Sequence, residues 1–427
     1  MAGPECSRWS RVGPWCDVHA RSSGRSAGGT AAGPVRALPC RVSRQSICGG
    51  LAVNVPLAIL DLAPISAGSD AATALRNTVD LAQHAERFGY RRYWLAEHHF
   101  VAVASSSPAL VIGQIAAATN RIHVGAAAVQ LGFTTAVATV ENFGILDAFH
   151  PGRIDLGVGR SGQRRTEAQK ESPATESPEP PKPPGEWREI DGVVVPPPFD
   201  LRTLMRSDRM RAQMSVIQQP EAQVPDFADQ VRDILAMIDG SYLVNGVDVH
   251  VVPGEGTALV PWVFGSSKGQ SAQVAGEFGL PFVASYHITP GTALDAVAAY
   301  RSAFRPSVTL AEPYVVASAD VVVAEDSATA RHLASSYGAW VHSIRARGGA
   351  APYPDPDDFT PLTDEQELIV KDRTATQFVG DPDEVADRLE ALQRVTGADE
   401  LVITSVTHRH EDRLRSHELI AKRWGLT

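Results

Sequence analysis

From Val55 onward, short apolar runs rich in β-branched and aromatic residues alternate with longer segments of helical spacing, and this rhythm limits the available folds more than any other feature. The runs are Leu57–Asp61, Arg92–Glu97, Ile122–Val129, Ile154–Val158, Val260–Phe264, Phe282–Ser285, Tyr314–Val323 and Glu400–Ser405. Helical patterns fall near residues 70–88, 107–119, 136–148, 269–279, 291–303, 326–346 and 410–423. Strands that alternate with helices build a parallel sheet, and eight of them is the closure number of a (β/α)8 TIM barrel. An open doubly wound sheet would carry a glycine-rich fingerprint after its first strand. The chain reads Asp61-Leu-Ala-Pro-Ile-Ser-Ala-Gly-Ser69 there, which lacks it. The expectation is an α/β barrel spanning 55–427, with a long insertion after strand four.

Two segments break the rhythm. Residues 1–54 precede the first strand, and the first fifty hold seven arginines against Glu5 and Asp17, in a chain whose net charge is −10. All four cysteines also lie there, Cys6, Cys16, Cys40 and Cys48, at spacings unlike those of a metal site. With no apolar signal core, this part is read as a disordered extension, translated from upstream of the true start. The cysteine-free body fits a reducing compartment, so a cytoplasmic location is expected. The acidic balance argues against nucleic acid, and no apolar run is long enough to span a membrane.

The second break is 161–246. Thr166 to Glu186 is almost purely polar and proline-rich and reads as a disordered loop; Trp187 to Met214 is stickier. It leaves from the C-terminal end of strand four, the catalytic face of such barrels. A partly apolar lid and a dispensable insertion both remain open.

Polar residues at the strand ends supply the candidate chemistry. Strand two ends Ala96-Glu-His-His-Phe100; neighbours on an extended strand point to opposite faces, so His98 and His99 are ill placed to share one metal ion. A metal-dependent hydrolase is therefore a weaker alternative, and no metal site is assigned. Strand four ends Asp155-Leu-Gly-Val-Gly-Arg160, with an arginine suited to an anion. Strand five runs into Phe264-Gly-Ser-Ser-Lys-Gly-Gln270, where serines at a helix start can either seat a phosphate or simply cap the helix. The small residues Gly125-Ala-Ala-Ala-Val129 leave room for a flat ligand or pack against a large neighbour. Asp381-Pro-Asp-Glu384 reads as a structural helix start. The stretch Thr407-His-Arg-His-Glu-Asp412, with Arg413, Arg415 and His417 after it, reads as a solvated face.

The blocks Asp61-Leu-Ala-Pro64, Ala96-Glu-His-His-Phe100, Val124-Gly-Ala-Ala-Ala-Val129, Pro151 to Arg160, Gly265-Ser-Ser267 and Gly397-Ala-Asp-Glu-Leu401 resemble the bacterial luciferase-like flavin monooxygenase family. The resemblance covers roughly 55–160 and 225–424 and is similar to the single-gene oxidoreductases rather than the light-emitting subunits. It implies a TIM barrel that binds reduced FMN, delivered by a separate flavin reductase, and that uses O2 through a flavin C4a-peroxide to oxygenate a small organic substrate such as an aldehyde or ketone. His98 would be catalytic, with Glu97 orienting or charge-balancing its neighbours. Arg160, Gly265, Ser266 and Ser267 would hold the flavin phosphate, and a non-proline cis peptide under the ring would map to Ala127–Ala128. A homodimer is implied as well. Members that use the deazaflavin F420 more often carry Asp-His at strand two, so Glu97-His98 favours FMN, with F420 the alternative. A flavin-binding barrel without turnover is the non-enzymatic alternative.

Overall fold

The computed structural model describes residues 55–160, 185–199, 208–219, 222–347 and 349–427. The N-terminal extension and the polar part of the insertion, 161–184, lie outside the described residues. In chain order the strands are β1 (Leu57–Asp61), β2 (Arg92–Leu95), β3 (His123–Ala126), β4 (Val129–Gln130), β5 (Ile154–Gly159), β6 (Arg188–Ile190), β7 (Val193–Val195), β8 (Leu243–Val244), β9 (Val247–Asp248), β10 (Pro261–Gly265), β11 (Phe282–Ala284), β12 (Val315–Val323), β13 (Phe378–Gly380) and β14 (Glu400–Thr404). The helices are α1 (Ala71–Arg87), α2 (Pro108–Ala118), α3 (Ala136–Phe149), α4 (Asp208–Ile217), α5 (Phe227–Asp239), α6 (Gln270–Glu277), α7 (Ala293–Ala303), α8 (Ser327–Leu333), α9 (Tyr337–Arg347), α10 (Asp364–Thr376), α11 (Pro382–Thr396) and α12 (His410–Trp424).

Eight strands close a ring in the order β1-β2-β3-β5-β10-β11-β12-β14 and back to β1, every pairing parallel. This is the (β/α)8 barrel the rhythm predicts. Ring strands are covered on both faces, which is why β1 and β12 are buried at every position and read as largely apolar runs, with Asp61, Ser318 and Asp320 the polar exceptions. β13 pairs with β12 outside the ring, and β6–β7 and β8–β9 are separate antiparallel hairpins.

The barrel interior is filled from the floor upward. At the N-terminal end, Arg92 pairs with Asp155 and donates from Nε to Glu400 at 3.3 Å, while the Tyr314 hydroxyl donates to Glu400 at 3.1 Å. Above them Trp94 packs edge-on against Trp262 and Phe264, with ring centroids 5.5 and 5.3 Å apart. Two glycines admit this layer. A Cβ on Gly125 would sit 2.5 Å from the Trp94 ring, and one on Gly157 would sit 1.8 Å from the Ala126 carbonyl oxygen. At Gly125 the packing reading of the small-residue stretch therefore holds. Side chains thus occupy the floor and the middle of the barrel.

Several expectations need correction. The helix expected over 326–346 is two helices, α8 and α9, broken at Ala334–Ser336, where the Ser336 hydroxyl donates to the Pro354 carbonyl at 2.9 Å. α10 was not anticipated because Asp364-Glu-Gln-Glu-Leu-Ile-Val-Lys-Asp-Arg373 shows no apolar stripe, and only Val370 and Thr376 of that helix are buried. Residues 161–246 also contain α5, which buries Phe227, Val231, Ile234 and Met237 at helical spacing and packs on α3 and α6 as the helix of the fourth barrel unit.

The solvated reading of the last helix is overturned at Arg413 and His417, which are 4% and 0% exposed. Arg413 pairs with the buried Asp61, whose carboxylate also accepts from Thr78 Oγ1 at 2.7 Å, the Tyr93 hydroxyl at 2.5 Å and the Ala63 amide at 2.7 Å. Burial pushes the Asp61 carboxyl upward, but the Arg413 charge and these donors outweigh it and hold the group below its ordinary range. The Asp381 helix start is as read: its carboxylate accepts from the amides of Asp383 and Glu384.

Candidate active site

Along β2 and its continuation, Trp94 and Ala96 face the barrel interior, whereas Tyr93 and Leu95 face the helices. Alternation therefore turns His98 inward to the rim and sends Glu97 and His99 outward. The backbone fixes this arrangement, with the His98 amide donating to the Ser105 carbonyl at 2.9 Å. Glu97 pairs with His99 Nε2 at 2.9 Å and accepts from the Gln130 amide at 3.1 Å, tying the end of β2 to β4. Glu97 and His99, with Ser106, Ser107, Thr134 and Asn142, line a side cavity of about 240 Å³. The structure thus splits the Glu-His-His block into an inward imidazole and an outward hydrogen-bonded pair.

The Ala127–Ala128 peptide, at the end of β3, is cis, at the position the resemblance implied. Ala127 packs on the interior cluster, and a Cβ on Gly159 would lie 3.3 Å from that of Ala128, so the bond sits beside the end of β5.

Arg160 and the serine loop meet at the start of α6. An ideal Cβ on Gly269 would lie 3.4 Å from Ser267 Oγ and 4.0 Å from Arg160 Nη1. Among the described residues no side chain caps α6, so the capping role that was the alternative reading of the serines is not seen there. Ser266 contributes structurally through its carbonyl, which accepts from Thr289 Oγ1 at 3.0 Å and Thr292 Oγ1 at 2.5 Å. At Gly265 a side chain would run into the Phe282 ring at 2.6 Å, so its small size serves packing. Asp226, which caps α5, accepts from Gln270 Nε2 at 2.7 Å; that bond first, with the Arg160 charge among the lesser causes, keeps its carboxyl below the ordinary range. Lys268 is exposed.

The sequence reading missed a polar wall across the rim. His287, just past β11, is 7% exposed; its ring Nδ1 lies 2.5 Å from Ser318 Oγ. Burial, then the charges of Arg373 and His98, push its pKa down to about 3. Behind it, Asp320 accepts from the Tyr337 hydroxyl at 2.7 Å and Gln377 Nε2 at 3.2 Å, and burial raises its carboxyl despite the opposing charge of Arg373. The rule that singled out His98, a polar residue past the C-terminal end of a barrel strand, would have found His287 too. Among the described residues no group of three or more His, Cys, Asp or Glu side chains is placed to hold a metal ion, and no helix is long and apolar enough to cross a membrane.

A closed parallel barrel filled below by side chains, with His98, His287, Arg160 and the serine loop at the C-terminal ends of its strands, defines a (β/α)8 TIM-barrel protein. The sequence matches the luciferase-like monooxygenase family over residues 55–189 and 210–400, and the chain belongs to that family. A luciferase-like monooxygenase of Escherichia coli K12 is 32% identical over 372 residues, 86% of this chain and 96% of the relative. The crystal structure of apo-MsnO8 superposes with a TM-score of 0.68 at 27% identity, covering 88% of this chain and 99% of that one. The oxygenating constituent of 3,6-diketocamphane monooxygenase from Pseudomonas putida, a type II Baeyer-Villiger enzyme in complex with FMN, shares the fold with a TM-score of 0.54 at 18% identity over 87% and 97% of the two chains.

Proposed function

We propose that this protein is a flavin-dependent monooxygenase that binds reduced FMN at the C-terminal rim and transfers one atom of O2 to a small organic substrate. The observation that carries the reading is the convergence of Arg160, Ser267 and the uncapped start of α6 on one spot, on the rim that also bears His98. A phosphate tail fits that spot, since it takes charge-assisted hydrogen bonds from a guanidinium and the backbone N–H groups of a helix start. The Ala127–Ala128 bond, between the His98 and Arg160 strands, would lie under the flat ring. Bound reduced FMN would supply the activation of O2.

The chain supplies the rest. His98 holds or moves the proton at the reacting oxygen, an imidazole being the side chain that titrates near neutrality. Glu97 acts through the backbone: by fastening the end of β2 to Gln130 it fixes where His98 points. Residues 185–199 of the insertion reach the rim, where the Tyr286 hydroxyl donates to the Val194 carbonyl at 2.7 Å and Arg345 lies 3.7 Å over the Phe199 ring. Their role in this reading is to exclude water from the site.

Arg160→Ala is expected to raise the Kd for FMN roughly 10- to 100-fold, the loss of one charge-assisted hydrogen bond. Fluorescence titration with FMN, reduced FMN under anaerobic conditions and F420 checks this; unchanged FMN affinity, or tighter binding of F420 than of FMN, would remove the FMN assignment. Oxygen uptake from NADPH and FMN should appear only when a flavin reductase is added; uptake by the pure protein alone would remove the separate reductase.

The reading includes a homodimer formed through α2 and α3. α2 carries no charged residue, α3 only Glu141 and Asp147, yet Leu110, Phe149 and Ile145 are 74%, 76% and 46% exposed. Two such helices from each copy would bury these faces together. Leu110→Glu with Phe149→Glu should halve the mass seen by light scattering; a monomeric parent protein would refute the dimer.

A further inference from the structure

His287 has no part in the chemistry assigned above, yet its surroundings fix both its proton and its direction. Three groups surround Ser318 Oγ: the His287 amide at 3.3 Å, the Ala284 carbonyl oxygen at 3.2 Å and His287 Nδ1 at 2.5 Å. The amide can only donate and the carbonyl can only accept, so all three contacts are hydrogen bonds together only when the single hydroxyl proton goes to the carbonyl. Nδ1 must then bring its own hydrogen, which leaves the lone pair on Nε2. That nitrogen has no hydrogen-bond partner among the described residues, and it is not among the sealed unpartnered atoms of the interior. The ring follows β11, across the barrel from the His98 end of β2, and its loop rests on the Ser266 carbonyl through Thr289 and Thr292. It is therefore an acceptor on the wall opposite His98. With burial first and the Arg373 charge next holding its pKa down to about 3, it is uncharged at neutral pH.

We infer that His287 is a substrate-binding residue whose Nε2 accepts a hydrogen bond from a hydroxyl or N–H group of the organic substrate, phenol being the simplest probe of that class. The inference rests on the rim being the active site, as proposed above. It selects within the broad set of small organic molecules, because a site built to accept a hydrogen rejects an analogue that lacks one.

The test uses the full chain with isotopically labelled histidine ring nitrogens, read by long-range proton–nitrogen correlation at neutral pH without flavin. The His287→Gln variant identifies the signal by its loss. The expected result is a neutral ring protonated on Nδ1, whose Nε2 resonance moves with phenol but not with anisole, phenol being held roughly tenfold tighter. In Ser318→Ala the Nδ1–H form should lose population and the response to phenol should weaken. A cationic ring, a proton on Nε2, or equal responses to phenol and anisole, including none to either, would overturn the inference. Because no flavin is present, failure here leaves the FMN titration untouched, and failure of that titration leaves this result standing.

Discussion

Replacing His98 with alanine is expected to lower turnover about 100- to 10,000-fold, the range for removing a positioned acid or base, while FMN affinity stays within about twofold. The physical reason is separation: His98 stands at the end of β2, whereas the proposed phosphate seat is built by Arg160, Ser267 and α6 from neighbouring parts of the ring. A shared loss of binding and turnover would mean that His98 supports the flavin rather than the reacting oxygen. Turnover that persists would remove its catalytic role, and binding without turnover in the parent protein would leave the flavin-binding barrel as the better account. Single-turnover oxidation of the anaerobically reduced complex after an oxygen pulse, with equilibrium FMN binding measured beside it, separates these outcomes. His99→Ala makes the control, because that ring points into the side cavity with Glu97.

Removing Arg92 is expected to destabilise the fold by about 3–5 kcal/mol, the cost of leaving buried charge uncompensated. Arg92 is the cation between Asp155 and Glu400 on the barrel floor, 4% exposed at its side chain, and its guanidinium also lies 4.6 Å over the Trp262 ring. The pH dependence of the loss follows from Asp155. Burial raises this carboxyl, but Arg92 first and His123 second outweigh it and hold it below the ordinary range. A depressed carboxyl contributes stability above its unfolded pKa and loses it as pH falls through the folded one. In Arg92→Ala that contribution is gone, so the deficit relative to the parent should be largest at neutral pH and shrink as the solution is acidified through the carboxylate range. Urea denaturation of both proteins at several pH values checks this. A deficit that is constant with pH would mean that lost packing, not charge, accounts for it.

How much of this could be read beforehand depended on whether the information was local. The ring strands were legible because a strand buried on both faces is mostly apolar, as in Val315-Val-Ala-Ser-Ala-Asp-Val-Val-Val323, where only Ser318 and Asp320 are polar. Asp381 and Pro382 announced α11 because capping is chemistry between residues two and three apart. α10 was silent, since its surface is mostly charged and only a small part of it reaches the core. His417 and Arg413 were misread for the opposite reason: their burial is set by β1 and Asp61, more than three hundred residues away in sequence. Glu97, His98 and His99 stand as a block in the sequence, and the fold places Glu97 and His99 together in a side cavity that does not include His98.

The sequence alone determined the barrel, the rim as the place where polar strand-end residues gather, and the candidates Arg160 and His98, because each follows from periodicity or from position along a strand. Tertiary structure decided which of these meet: that Arg160 and Ser267 come together at the start of α6, that Glu97 pairs with His99, and that His287 lies against Ser318. The reason is closure. Parallel strands joined by helices bring their C-terminal ends together only when the eighth pairs with the first, so neighbours around the rim come from distant parts of the chain and no local pattern encodes their contacts.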